Sequence, residues 1–201
     1  MTMPHTEYAL FPLSTVVFPG GILPLRIFEP RYLDMVSHCM RSSEDFVICT
    51  ARPARHGEFA EPRAMGTRVS IVDFDRLADG ALGITVHGRA RVAIQETRQG
   101  ANGLWWGEVT PVDEDLDGPC PIEFASLKEI VAALIADAGL PYDSDSVDYD
   151  SASWLSARLT ELLPFDAATK HDLLTTDDPQ ERLRRIRPMI EIENAGDRSG
   201  R

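Results

Sequence analysis

Apolar positions alternate with polar ones along the first half of the chain and recur at helical spacing along the second. Residues 8–13 and 22–28 are short apolar runs bounded by proline and glycine, as strands are. After Pro30, which suits the first position of a helix, Tyr32, Leu33, Val36, Cys39 and Met40 recur every three or four residues and predict an amphipathic helix. Residues 46–50 read as another buried strand. Val69 and Ile71 alternate with polar neighbours, and Val72 and Phe74 then change phase, which predicts a bulge. Asp79-Gly80 predicts a hairpin with a type I′ turn, which needs positive φ at both central residues. Beyond it Leu82, Ile84, Val86, Ala90, Val92 and Ile94 share one parity across Gly88, so a bent strand or a strand pair rounding a barrel corner is expected. Residues 105–112 close this half. Trp105 and Trp106 are neighbours on a strand and face opposite ways, so one is expected in the core and the other half-exposed. Six or so short strands with one helix predict a small, closed or nearly closed β-barrel.

The second half carries helical stripes. Leu127, Ile130, Val131, Leu134, Ile135 and Ala138 form one, which Gly139 and Pro141 end. Ser151 suits the cap of a helix bearing Leu155, Leu159, Leu162 and Leu163, with Pro164 behind it. Asp166 starts a short helix through Leu174. Asp178, Pro179 and Glu181 have the order of an N-cap and capping box. The helix that follows uses Leu183, Ile186 and Ile190, and Pro188 is expected to kink or shorten it. Four helices joined by short loops are expected to pack as a bundle. The fold class is therefore α+β: a barrel subdomain over residues 7–117, a helical subdomain over residues 118–193, and flexible tails at 1–6 and 194–201. No internal repeat is present.

With 201 residues, 43% of them hydrophobic and 26% charged, a folded chain buries roughly 70% of its unfolded surface and needs no disulfides. The cysteines Cys39, Cys49 and Cys120 are odd in number and lack a CxxC spacing, so reduced, buried thiols are expected. No stretch has the make-up of a signal peptide or a membrane span, which points to a soluble, cytoplasmic protein. The net charge of −12 opposes nucleic acid or an anionic membrane as the main partner.

The chemistry searched for is mostly missing from the sequence. There is no GxxxxGK[ST] phosphate cradle, GxSxG elbow, SxxK pair or HExxH, and His5, His38, His56, His87 and His171 show no close ligand spacing. Asp113-Glu-Asp115-Leu-Asp117-Gly118 opens like a calcium loop, but Phe124 stands where the bidentate glutamate belongs, so a solvated linker is expected. Asp143, Asp145, Asp148 and Asp150 read as a second solvated acidic loop. Arg182, Arg184, Arg185 and Arg187 either meet an acidic partner or pair with nearby carboxylates. No catalytic residue, metal or cofactor is assigned.

Residues 10–33, LFPLSTVVFPGGILPLRIFEPRYL, closely resemble the opening of the Lon protease N-terminal domain family, and small stand-alone members are the nearest in pattern. The resemblance continues through Gly66-Thr67, residues 69–74, Asp79-Gly80 and Gly88-Arg89-Ala90-Arg91. It extends through Trp154-Leu155 and residues 159–164, 170–174 and 177–183, which takes in about residues 7–192. Pro188 departs from a smoothly continued last helix. The resemblance implies a PUA-like β-barrel followed by a helical bundle, and a role in recognising and tethering substrate proteins. The ATPase and protease modules have no counterpart here.

Two groups of residues are candidates for contact with a partner. Val16, Val17, Phe18 and Ile22, in the loop at residues 14–23, are apolar where a loop is usually polar. They either form an exposed ridge that grips client chains or plug one end of the barrel. Arg26, Glu29 and Arg31 form either a charged recognition spot or an ion-pair network at the strand-to-helix turn. The expected function is a non-catalytic module for a polypeptide client or partner protein, acting as an adaptor or chaperone-like factor. The other classes are an RNA-binding PUA-like module, by fold analogy alone, and a hydrolase with a site assembled from scattered Asp, Glu and His. A homodimer through an apolar barrel or bundle face is compatible with the pattern.

Overall fold

The structure is a computed structural model that describes residues 6–52, 60–113 and 117–198, with side chains described from Glu7 to Ile190. The expected tail at residues 1–5, His5, His56 and the middle of the calcium-like loop lie outside the described residues. The order is β1 Thr6–Leu13, β2 Ile22–Ile27, α1 Pro30–Ser42, β3 Phe46–Ala51, β4 Pro62–Arg76, β5 Leu82–Gln99 and β6 Trp105–Pro111. Then come α2 Ala125–Ala138, α3 Ala152–Leu162, α4 Ala167–Leu174 and α5 Pro179–Arg198. The class is mixed α+β, as the sequence suggests.

The strands hydrogen-bond in the order β2-β5-β4-β3-β1-β6, and a further β5–β6 pairing joins the row into a ring. β1 runs parallel to β3, and the remaining pairings are antiparallel. One long strand makes the closure feasible. The first part of β5 pairs with β2, from Leu82↔Ile27 to His87↔Ile22, and its last part pairs with β6, from Val92↔Pro111 to Gln99↔Trp105. The bulge predicted near Val72 is present as a register shift between Ile71 and Asp73.

Alternate residues of β1 and β3 enter different cores. Ala9, Phe11, Phe46 and Ile48 meet Tyr32, Met35, Val36 and Cys39 of α1. Leu10, Val47 and Cys49 meet Val92, Ile94 and Val109 on the other face. Both faces of β3 are therefore covered, which is why it reads as a continuous apolar run. The same arrangement corrects the expectation for the tryptophans: both are half-buried, Trp105 against the second core and Trp106 against the first. It also explains β5, whose Ile84 and Val86 enter the first core and Val92 and Ile94 the second despite equal parity. In α1 the buried face runs through residues 32, 35, 36 and 39, leaving Leu33 and Met40 exposed, contrary to the predicted stripe.

The hairpin at Asp79-Gly80 forms with a different turn. Gly80 has φ +84, no other residue in the loop has positive φ, and Gly80 N–H donates to Leu77 O at 2.8 Å. Five residues separate the strands, so a four-residue turn ending on one left-handed glycine suffices. β2 lies at the edge of the row. Ile22 N–H points away from β5 to the Tyr142 hydroxyl at 3.2 Å, so the outward position two residues on falls to Pro24, which has no N–H to offer. This blunts the edge.

The helix ends follow the sequence closely. Ser151 caps α3 by accepting from Trp154 N–H at 2.9 Å, Asp166 caps α4 from Thr169 N–H at 2.7 Å, and Asp178 accepts from Gln180 N–H at 2.8 Å. Gly139 ends α2 with φ 60. Glu181, cast as the capping-box acid, pairs with Arg184 at 3.3 Å. Pro188 does not shorten α5, which continues to Arg198 and so covers residues 194–198 of the expected tail. Pro188 is exposed, so the carbonyl it deprives of a donor is open to water. α3 packs against α2, α4 and α5 through Leu155 and Leu159, both fully buried. Among the described residues no helix is long and apolar enough to cross a membrane.

The cysteines are free. Burial pushes the Cys39 thiol up to about 11 and that of Cys49 up to about 12, whereas Cys120 is half-buried. Because the thiolate is the nucleophile, iodoacetamide at pH 8 is expected to add one equivalent to the native protein, at Cys120, and three after denaturation. Intact mass reads both; a second native equivalent would contradict the burial.

Candidate functional site

The loop at residues 14–21 lies in the seam between the strand ring and the helices. Val16, Val17 and Phe18 have relative exposures of 2%, 1% and 1%, so they are not the exposed ridge considered above. The burial of a plug is real, but its partners differ. Val17 enters the first core, while Val16 and Phe18 pack with Ala157 of α3 and Leu174 of α4. An apolar loop is tolerated here because its backbone is satisfied. Thr67 Oγ1 donates to Val17 O at 2.5 Å, Phe18 N–H donates to Glu161 Oε1 at 2.5 Å, and Gly20 N–H donates to Gly88 O at 3.0 Å. Ile22 is half-buried at the start of β2.

Four charged side chains hold this seam, and the sequence reading assigned no role to three of them, Arg158, Glu161 and Lys170. Arg158 is fully buried and pairs with Glu161 one helical turn on, Nε to Oε2 at 2.7 Å and Nη2 to Oε1 at 2.8 Å. Arg158 Nη2 also approaches Pro19 O at 3.3 Å. Lys170 donates to Glu161 O at 2.8 Å and to Thr15 Oγ1 at 3.3 Å. Arg182, assigned above to a surface cluster, is fully buried, lies over the Phe18 ring at 5.0 Å and donates to Thr176 O at 2.6 Å. Burial pushes the Glu161 carboxyl above its ordinary range, opposed by Arg158 and the Phe18 N–H; burial likewise lowers Lys170, opposed by Glu161. Arg158, Glu161 and Lys170 meet the loop at residues 15–19 and Arg182 packs over Phe18, so the four fasten the two halves together.

Arg31 pairs with Glu29 at 2.7 Å, donates to Gly103 O at 3.1 Å and lies over the Tyr32 ring at 4.6 Å. Arg26 turns away to Asp79 of the hairpin. The three residues considered as one network thus form two separate contacts. Among the described residues no group of three or more His, Cys, Asp and Glu side chains could hold a metal. His171 Nδ1 lies 2.9 Å from Thr50 Oγ1 and ties α4 to β3.

Open surfaces among the described residues include a groove of about 240 Å³ bordered by Phe28, which is 68% exposed, and two more. One is a cleft of about 300 Å³ beside the loop, with Phe18, Pro19, Val112 and Trp154 as apolar walls and Asp117, Asp148 and Arg91 as its charged groups. The other lies on β4, where Val72 and Phe74 are 53% and 59% exposed. Grooves of about 300 and 310 Å³ flank Phe74, one bordered by Leu25 and Leu77, the other by Met40 and Ile71.

Residues 7–191 match the family described as the ATP-dependent protease La (LON) substrate-binding domain. The fold resembles the crystal structure of a Lon N-terminal domain protein from Xanthomonas campestris, with a TM-score of 0.70, 35% identity, and coverage of 90% of this chain and 96% of that one. It also resembles the N-terminal domain of Mycobacterium avium complex Lon protease, with a TM-score of 0.63 and 21% identity over 90% of this chain and 96% of that one, a likeness of fold. Two longer proteins match at 26% identity. One is a LON peptidase N-terminal domain and RING finger protein of Schizosaccharomyces pombe, aligned over 85% of this chain and 42% of that protein. The other is the Lon protease of Rhizobium meliloti, aligned over 96% of this chain and 25% of that protein. The chain thus spans less than half the length of these two relatives. With a match over nearly all of its described residues and the same fold in a solved relative, the chain belongs to the Lon substrate-binding domain family.

Proposed function

We propose that the chain is a polypeptide-binding module without chemistry of its own, acting as an adaptor or chaperone-like factor. The observation that carries the reading is the exposed apolar surface on β4. Val72 and Phe74 stand out of the sheet between two grooves, while most other large apolar side chains are buried. Such a patch marks an interaction site, and an apolar segment of an unfolded client is the ligand that would cover it. The family's description as a substrate-binding domain supports the same reading. We read the ring as a PUA-like barrel and the helices as a bundle, two subdomains meeting near residue 117. A homodimer formed through the β4 face is the competing occupant.

Phe74 is 59% exposed, so Phe74→Ser is expected to change stability by no more than about 0.5 kcal/mol. The same change should weaken binding of fluorescently labelled, reduced and alkylated lactalbumin about tenfold, read by anisotropy. Unaltered affinity would remove this surface from the account. A fall in mass from dimer to monomer on the substitution, seen by sedimentation, would assign the face to self-association.

A further inference from the structure

We infer that the cleft between the strand ring and the helices receives a cationic side chain, arginine or lysine, of a bound polypeptide; the inference rests on the polypeptide-binding reading above. The fold brings together two acidic runs that lie far apart in the chain. Pro119 bridges to Ser151, Cys120 N–H donates to Asp150 O at 2.6 Å, Ala152 N–H donates to Gly118 O at 2.9 Å, and Ser151 Oγ donates to Asp117 Oδ1 at 2.8 Å. Asp117 and Asp148 therefore border one cleft.

Each carboxylate spends a single oxygen within the chain. Asp117 Oδ1 accepts from Gly118 N–H and Ser151 Oγ, and Asp148 Oδ1 accepts from Asp150 N–H and Ser151 N–H. No ion pair engages either side chain among the described residues. The cation in the wall, Arg91, is 3% exposed and committed to Asp177 Oδ1 at 3.1 Å, Leu174 O at 3.0 Å and Asp113 O at 3.2 Å. Its charge is compensated, and Lys128 nearby is held by Asp150, so among the described residues lining the cleft the uncompensated charge is that of the two aspartates. Val112, Phe18 and Trp154 supply the apolar wall. A wall of this kind ending in carboxylates matches a long aliphatic stem with a cationic head, and the net charge of −12 adds a long-range pull on cations.

The test uses the full chain and two labelled peptides of equal length and equal apolar content, one carrying arginines and the other citrulline at the same positions. At low salt the arginine peptide is expected to bind about 5- to 10-fold more tightly, as two exposed ion pairs allow, and the difference should shrink as ionic strength rises. In Asp117→Asn/Asp148→Asn, which keeps the hydrogen-bond acceptors, the preference should vanish while citrulline-peptide affinity stays unchanged. Equal binding of both peptides by the wild type overturns the cleft and leaves the β4 reading standing. A preference that survives the double substitution also overturns it. Arginine-dependent binding with no citrulline-peptide binding would keep the cleft and remove the β4 surface, and failure of both peptides to bind would overturn both.

Discussion

Glu161→Leu is expected to lower the unfolding free energy by about 3–5 kcal/mol, the loss typical of leaving a buried charge without its partner. The substitution removes at once the ion-pair partner of Arg158, the acceptor of its Nη2 and the acceptor of the Phe18 N–H. Arg158 has no exposed surface on which to regain hydration. The urea midpoint should fall with little change in slope, since the surface exposed on unfolding is nearly the same. Arg158→Met/Glu161→Leu should recover part of the loss, because removing both charges abolishes the desolvation cost together with the attraction, while the Phe18 N–H stays without its acceptor. A double variant as unstable as Glu161→Leu alone would show that the pair matters through shape and not through charge.

The second large effect concerns Gly88. Here the loop crosses the middle of β5 so closely that a Cβ would overlap the Phe18 carbonyl oxygen and lie 2.8 Å from the Phe18 carbonyl carbon. Gly88 also exchanges hydrogen bonds with the loop, accepting from Gly20 N–H at 3.0 Å and donating to Gly21 O at 2.9 Å. Backbone cannot step aside as a flexible side chain can, so Gly88→Ala must lift the loop from the strand. A loss of about 3 kcal/mol is expected, at the upper end for overpacking, since both hydrogen bonds are strained as well. Gly118→Ala is the control: a Cβ there meets nothing within 4 Å, and a change under about 0.5 kcal/mol is expected. Equal melting temperatures for the two variants would refute the close approach.

Elements set by local chemistry were legible in the sequence. Ser151, Asp166 and Asp178 cap helices where their side-chain oxygens reach backbone N–H groups a residue or two inside the helix, a relation confined to a few adjacent positions. The phase change at Val72 signalled a bulge for the same reason. Contacts between distant parts were not legible. Nothing near Phe18 announces that Glu161, 143 residues away, accepts its N–H, so an apolar loop looked equally like a ridge or a plug. A signal did exist in α3: Arg158 lies between Leu155, Leu159 and Leu162 on the apolar face of the helix, a position usually denied to a charge unless a partner is supplied. Tryptophan burial was misjudged because two cores flank the same strands, which a one-sided sheet would not allow.

The pairing of β1 with β6 joins residues 6–10 to residues 105–109, and the strap after β1 is fastened by groups as far along the chain as Glu161, Lys170 and Arg182 as well as by Thr67 and Gly88. During synthesis β1 can therefore pair with β3 along one edge, but its other edge must wait until residues 105–109 of β6 have been made. High contact order of this kind slows folding and leaves apolar strands available to wrong neighbours in the interval. A ribosome stalled after residue 100 would carry a nascent chain that has every residue of β1 to β5 and still has no means of closing.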